Sequence, residues 1–313
     1  MRLIRAFGPL GRHLVAARDH RVAVNGSVAV LVAVATTTFL PLWVLAFTPL
    51  LFGVPHLIAD LRYLVVRPGL HRRPWLLALA GVPIALFGVT GNLPLGLLAL
   101  VGAALASRGT PLARLGTVVL GLGLVATAWA TGWTGALVLA HAHNLVGVGL
   151  WWAWRKRTSP AHLVPLALYA GALALFASGA VDGVAHAAIA ALPAPEVTQL
   201  AYITTGVPEP WGFRLLLAFG FAQSVHYSVW LRLVPEEDRV RESSRSVRRV
   251  VNELLDDVPA FAVLAALGLL AALFAWAFVD LGEARDGYLR LARFHGVMEL
   301  AIAALWLSEG RPR

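Results

Sequence analysis

The sequence predicts an all-α membrane protein, a polytopic bundle of about ten transmembrane helices with both termini in the cytoplasm. Its 313 residues are 58% hydrophobic and only 14% charged, whereas soluble domains contain roughly 25% charged residues. The mean hydropathy of +0.72 agrees with this class. The arginines also cluster in short segments between the apolar runs, which is the distribution that the positive-inside rule predicts for cytoplasmic loops.

The individual spans follow from apolar runs that are long enough to cross roughly 30 Å of hydrocarbon. We place these runs at 26–46, 47–66, 75–92, 94–107, 113–131, 133–154, 162–181, 211–231, 259–280 and 288–308. The run 94–107 is the shortest of them. Together with 75–92 it forms either a separate span or one arm of a re-entrant hairpin.

Charge then assigns the loops to the two sides of the membrane. With the N-terminus inside, the inner loops contain Arg67, Arg72, Arg73, Arg108, Arg114, Arg155, Lys156, Arg157 and the arginine-rich segment 232–249. The long segment 182–210 has three acidic residues and no lysine or arginine, as expected of an outer loop. We therefore expect a multi-pass protein of the bacterial inner (plasma) membrane.

The domain organisation is correspondingly simple. Residues 1–25 form a basic cytoplasmic segment, and 26–313 form a single transmembrane domain. The extended polar stretch 235–258 mixes charges with valines and leucines, which predicts a cytoplasmic amphipathic connector on the inner leaflet. The net charge of +9 belongs to the inner loops, so the bilayer, and not nucleic acid, is the expected partner. The absence of cysteine excludes disulfides, thiolate metal sites and iron–sulfur clusters.

Ionisable side chains inside the predicted spans indicate function, because a charged group near the bilayer centre costs a few kcal/mol. His56 and Asp60 are four residues apart and share one helical face. His295 and Glu299 repeat this spacing.

A third span contains the stretch LAHAHNLVGVGLWW, in which His141 and Asn144 share a face. His141 and His143 point roughly 200° apart on a straight helix. We therefore expect that only one of these two histidines ligates a given ion.

A fourth span contains His226, with Gln223 on the same face. The aromatic residues Tyr227 and Trp230 follow it and are candidates for lining a substrate cavity. Asp182 and His186 are also four residues apart, but they lie at or beyond the outer end of a span.

Counted from the outer ends of their spans, most of these polar groups lie at a similar depth and could converge on one point. The predicted metal ligands are His56, His141, His143, His226 and His295. The predicted hydrogen-bonding partners or alternative ligands are Asp60, Asn144, Gln223 and Glu299. Imidazole with carboxylate suits Fe(II), and also zinc or manganese. Haem is less favoured, because no helix has the usual pair of histidines thirteen or fourteen residues apart. The competing interpretation is that these groups only bridge neighbouring helices.

The stretch GVPH-x-x-x-D at 53–60 resembles a signature of the bacterial and archaeal membrane β-carotene oxygenases, the Brp/Blh family. That resemblance implies a polytopic bundle that holds non-haem iron through histidines from several helices and splits β-carotene centrally with O2. It implies that His56 is an iron ligand and Asp60 its carboxylate partner. The segment around His226, with its following Trp-x-Arg, is similar to a later motif of the family, where two histidines are usual and this chain has one.

The expected function is therefore a membrane-embedded non-haem iron oxygenase that acts with O2 on a lipophilic substrate, such as a carotenoid or another polyene. One alternative is a proton- or cation-coupled transporter, because such carriers also use intramembrane His, Asp and Glu. A break in the helix at Gly53-Val54-Pro55 would favour that alternative. The other alternative is a non-catalytic membrane subunit whose histidines only bridge helices. The sequence does not indicate an oligomeric state.

Overall fold

The computed structural model describes residues 17–157, 159–192, 203–239 and 247–311, and all regular elements in these ranges are helical. This confirms the prediction of an all-α fold for the described residues. Parts of three predicted segments lie outside them: residues 1–16 of the basic N-terminal segment, 193–202 of the outer loop, and 240–246 of the polar connector.

The longer helices are numbered here in chain order. They are α1 (Arg18–Phe39), α2 (Pro41–Asp60), α3 (Pro74–Thr90), α4 (Leu93–Ala106), α5 (Pro111–Thr131), α6 (Trp133–Ala153), α7 (Leu163–Ser178), α8 (Asp182–Ala191), α9 (Trp211–Ser228), α10 (Val247–Asp257), α11 (Ala260–Val279), α12 (Leu281–Ala292) and α13 (Phe294–Glu309). Three stretches are π-helical, namely Leu61–Val66 after α2, Leu77–Gly81 within α3, and Val229–Leu233 after α9.

Seven helical segments of the described residues are long and apolar enough to cross a membrane. They are Arg18–Phe39, Pro41–Val66, Pro111–Thr131, Trp133–Ala153, Pro160–Ser178, Ala260–Val279 and Leu281–Glu309. The two shorter apolar helices α3 and α4 correspond to the predicted runs 75–92 and 94–107. The predicted span 211–231 is helical, but polar side chains lower its hydropathy and it is not among the seven. The protein therefore has the features of a multi-pass membrane protein, while the count of about ten spans and the side of each terminus stay predictions.

Several helix boundaries were predicted well, and one was not. Gly132, with φ of +52°, separates α5 from α6, as the runs 113–131 and 133–154 predicted. The predicted boundary between 26–46 and 47–66 was wrong, because the helix ends at Leu40, whose φ is −138°. A proline disfavours helical backbone in the residue before it and suits the first helical turn, so Pro41 starts the next helix.

Two further predicted features are helical in the structure. The predicted outer loop 182–210 begins with a helix, α8, and its position on the outer side of the membrane stays a prediction. The sequence Gly53-Val54-Pro55 does not break α2, which contains both Pro49 and Pro55.

The chain divides into two compact units. Unit 1 comprises 1–48 and 148–253, and unit 2 comprises 49–147 and 254–313. In unit 1, α1 packs against α7 and α9, with Phe176 and Phe221 5.5 Å apart in its aromatic core. Its buried ion pairs include Arg21 with Glu236 at 2.9 Å.

In unit 2, α4 packs against α3, α5 and α13, and α11 packs against α12. Gly102 allows a close approach of α4 to α3, because a Cβ there would collide with the backbone of Leu79. A buried apolar cluster joins α2, α11 and α12 and includes Leu50, Val54, Leu57, Leu273, Ala284, Tyr288 and Ala292. This packing holds in place α2 and α13, two of the helices that contain the candidate site.

The connector predicted at 235–258 contains a helix, α10. Val250, Val251 and Leu255 are exposed on it, which suits an amphipathic helix at a membrane surface. At its C-terminal end, Asp257 accepts hydrogen bonds from Arg62 at 2.7 Å and Arg67 at 2.8 Å. Its position on the inner leaflet stays a prediction.

Candidate metal centre

Three helical segments of unit 2 bring three histidine rings together. His56 lies on α2, His143 on α6 and His295 on α13. The ring of His295 is edge-on to both others, with centroid distances of 4.9 Å to His56 and 5.3 Å to His143. Imidazoles from three separate helices therefore meet in one place within this unit.

A carboxylate adjoins this group. Asp60 lies one helical turn after His56, and its Oδ2 is 3.8 Å from the His56 Nε2. His56, Asp60 and His295 each offer one ligand atom, and these atoms lie within 4.8 Å of one another. His56 and Asp60 are fully buried. The three residues form a group that could hold a metal ion.

Backbone carbonyls orient the imidazoles. Nδ1 of each histidine donates to the carbonyl oxygen three residues earlier on its own helix, namely Gly53 for His56, Ala140 for His143 and Ala292 for His295. A carbonyl can only accept, so Nδ1 bears the hydrogen and Nε2 keeps a lone pair in the neutral ring. His186, outside this group, has a similar bond to Asp182. The bond alone is therefore not diagnostic of a metal site, but in His56 and His295 it accompanies ligand atoms that lie close together beside Asp60.

Glu299 adds a second carboxyl group. It lies one turn after His295, is fully buried, and interacts electrostatically with Asp60. Neither carboxylate oxygen of Asp60 has a hydrogen-bond partner among the described residues. Burying an ionised carboxylate without a partner is costly, and a cation would supply that partner. The donor set of imidazole and carboxylate therefore fits a first-row divalent metal.

Local sequence explains this arrangement. The His-x-x-x-Asp and His-x-x-x-Glu spacings place each pair on one helical face. Gly296 lets α13 approach α6, since a Cβ on it would already lie 3.4 Å from the His143 Cβ. Asp60 is the last α-helical residue before the π-helical stretch Leu61–Val66, and π-helical turns are frequent at functional sites.

The predicted site residues on α6 lie in different surroundings. His143 contacts the His295 ring, whereas His141 is half-buried and has an electrostatic interaction with His143. Asn144 is fully buried, and neither polar atom of its side chain has a hydrogen-bond partner among the described residues.

The four predicted site residues on α9 and the π-helical turn after it belong to unit 1, and all four are buried. Gln223 donates from Nε2 to the hydroxyl of Tyr227 at 3.1 Å. The ring of His226 lies 6.2 Å from that of Tyr227. Trp230 packs edge-on against Trp154 at 6.1 Å. Their predicted roles as a ligand, a hydrogen-bonding partner and cavity-lining residues stay predictions.

Asp182 and His186 form a different kind of contact in unit 1. Asp182 pairs with Arg214, whose Nε donates to its Oδ2 at 2.9 Å. The exposed ring of His186 stacks on Phe213 with 3.9 Å between centroids. This carboxylate therefore has a cationic partner of its own.

Sequence reasoning missed Tyr288. Its ring lies against the backbone of Gly53, and its hydroxyl oxygen is 3.5 Å from the His56 Nδ1. Gly53 was noted only as part of a motif and as a possible helix break. No spacing rule connects it with a tyrosine on a distant helix, so only the folded structure reveals this contact.

Comparison with known proteins identifies no relative, since no protein-family model, curated protein or solved structure matches this chain. The resemblance at residues 53–60 therefore stays a prediction that depends on the motif itself.

Proposed function

We propose that the protein is a membrane-embedded non-haem iron oxygenase that oxidises or cleaves a lipophilic substrate with O2. The observation that supports this proposal is the convergence of His56, His143 and His295 beside Asp60 within unit 2. We place the protein in the bacterial inner membrane, in agreement with its arginine-rich loops.

The three histidines would hold the metal through Nε2, the atom left with a lone pair by the Nδ1 hydrogen bonds. Asp60 would act as a further ligand or as an acceptor beside His56. Together Asp60 and Glu299 would contribute two negative charges, which a divalent cation balances. Iron, when bound to imidazoles with coordination positions left open, supplies the chemistry that activates O2.

The surroundings favour a lipophilic substrate. His56 and Asp60 are fully buried on a helix whose Leu51 and Phe52 are exposed in an apolar segment. A substrate that reaches such a helix from the bilayer must itself be apolar. A polyene such as a carotenoid is the substrate class that the motif at 53–60 implies.

A second candidate function is a proton- or cation-coupled transporter. It is supported by the interaction between the buried carboxyl groups of Asp60 and Glu299, because coupling sites use such groups. The unbroken course of α2 through Pro55 weakens it. The third candidate is a non-catalytic subunit whose histidines only bridge helices. It is weakened because neither carboxylate oxygen of Asp60 has a hydrogen bond to another described residue.

Metal analysis of the detergent-purified protein tests the proposal. We expect roughly one iron per chain, and much less in His56→Ala and His295→Ala. His71→Ala is the matched control, because His71 is exposed in an inner loop. The wild type should bleach a supplied polyene only in air, with consumption of O2.

Other outcomes would contradict the proposal. The same iron content in the wild type and in all three variants would contradict a metal centre at His56 and His295. A transmembrane proton or cation flux that depends on pH, needs no bound metal and is abolished by Asp60→Asn would instead identify a transporter.

A further inference from the structure

We propose that Tyr288 is a positioning residue for His56, seated on Gly53, that keeps the Nε2 atom of this imidazole directed towards Asp60. The inference rests on the proposed function, since it concerns the same centre, and it adds a residue that the sequence did not indicate.

Gly53 provides the seat for the tyrosine ring. A Cβ on Gly53 would lie 2.5 Å from the Tyr288 hydroxyl oxygen and closer still to the ring. Such a distance is far below van der Waals contact, so any larger residue would displace either the ring or the helix. Gly53 is also the residue whose carbonyl accepts from the His56 Nδ1. The glycine that the Tyr288 ring contacts therefore also supplies the carbonyl oxygen that orients His56.

The Tyr288 hydroxyl lies beside the Nδ1 edge of the His56 ring. Its oxygen is 3.5 Å from Nδ1, which is at the limit of hydrogen-bond distance. Two oxygens, this hydroxyl and the Gly53 carbonyl, therefore flank one N–H group. If the ring flipped, a C–H would face these two oxygens and the hydrogen bond would be lost. The pair thereby favours the orientation in which Nε2 is 3.8 Å from the Asp60 Oδ2.

Packing holds the tyrosine itself in place. Tyr288 is only 1% exposed and belongs to the apolar cluster that includes Val54 and Leu57. The preceding Gly287 lies against the ring of Trp276 on α11, where a Cβ would come within 2.5 Å of the indole. The helix that presents the hydroxyl therefore has little freedom to shift away from α2.

Loss of the hydroxyl should weaken metal binding without unfolding the protein. Replacing the groups that orient metal-bound histidines typically lowers metal affinity 10- to 100-fold. Because the contact in question is long, we expect the lower end of that range for Tyr288→Phe, about tenfold.

The test compares three variants with the wild type by Co²⁺ binding in competition with a chelator. Tyr288→Phe removes only the hydroxyl, and Gly53→Ala displaces the ring. Tyr169→Phe is the matched control, because Tyr169 is buried in unit 1 and its hydroxyl has no hydrogen-bond partner among the described residues. We expect a Kd about tenfold higher for Tyr288→Phe, at least as high for Gly53→Ala, and unchanged for Tyr169→Phe. The Tm of Tyr288→Phe should stay close to that of Tyr169→Phe.

A second measurement makes the inference independent of the metal. The ¹⁵N NMR signals of labelled histidine in metal-free protein report the tautomer of His56, with His56→Gln identifying its signals. We expect one tautomer, with the hydrogen on Nδ1, in the wild type. We expect a mixture in Tyr288→Phe, because a ring that has flipped away from the Gly53 carbonyl is no longer held in that tautomer. Unchanged signals together with an unchanged Kd would overturn the positioning role. If the wild type bound no Co²⁺ or iron, the proposed function would fail, and the NMR comparison alone would decide the role of Tyr288.

Discussion

The imidazole of His295 stands edge-on to that of His56, with their centroids 4.9 Å apart and an interplanar angle of 84°. These two residues belong to helices at opposite ends of unit 2 in the sequence. Each is followed one turn later by a carboxylate, so the contact brings two His-x-x-x-acid pairs together.

The contribution of α6 to this group can be assigned to one histidine. The His143 ring contacts that of His295 at 5.3 Å, and His141 projects from another side of the helix. We expect His143→Ala to lower the metal content of the purified protein strongly and His141→Ala to leave most of it. Elemental analysis of both variants decides the point, and equal losses would contradict the assignment.

Gly296 should tolerate only a small increase in volume. A Cβ there would lie 3.4 Å from the His143 Cβ, which is ordinary contact, so Gly296→Ala should fold and bind metal. Compared with alanine, Gly296→Val adds two further methyl groups that must separate α13 from α6, and overpacking of this kind costs about 1–3 kcal/mol. We expect lower thermal stability and reduced metal content for the valine variant alone. Identical behaviour of both variants would show that the helices are not closely packed there.

A group of hydrogen bonds joins three chain segments of unit 2. Arg73 donates to Glu309 at 2.5 Å and to the Ala106 carbonyl at 2.8 Å, and the Arg108 amide donates to Glu309. Glu309→Gln weakens these charge-assisted bonds, so we expect a loss of about 1–3 kcal/mol in the free energy of unfolding. Arg249→Gln is the control, because its exposed pair with Glu253 should contribute below about 1 kcal/mol. A loss for Glu309→Gln no larger than that of the control would contradict the prediction.

Stability in acid should depend on Asp257. Partial burial acts to raise the pKa of this carboxyl, but hydrogen bonds and charges from Arg67 and Arg62 outweigh it, and the pKa lies below its ordinary value. The stabilisation is therefore complete above the unfolded value of 3.8. It decreases as the pH falls from there through the lower pKa of the folded state.

Denaturation of the wild type and Asp257→Asn over a range of pH tests this dependence. The difference in unfolding free energy should be constant near neutral pH and should shrink once the pH falls below 3.8. Asp256→Asn is the control, because Asp256 is the exposed neighbouring acid. If the difference in unfolding free energy between the wild type and Asp257→Asn grew as the pH fell, the prediction would be contradicted.

Helix positions followed from the sequence because each membrane helix satisfies its own backbone hydrogen bonds. Hydropathy alone therefore located most helices, and Gly132 marked the boundary between two of them. The boundary at Leu40 was misplaced, since the residues on both sides of it are apolar and only Pro41 marks it. The polar contact of Glu309 could not be anticipated, because its partners are distant in the chain.

The sequence by itself determined the class of protein and the pairs His56–Asp60 and His295–Glu299, because hydropathy and helical spacing are local properties. Only the tertiary structure decided that His143 joins these residues and that Tyr288 rests on Gly53. Such contacts depend on which helix faces pack together and how closely glycines let them approach. That information is spread over many residues of several helices and is not readable from any one segment.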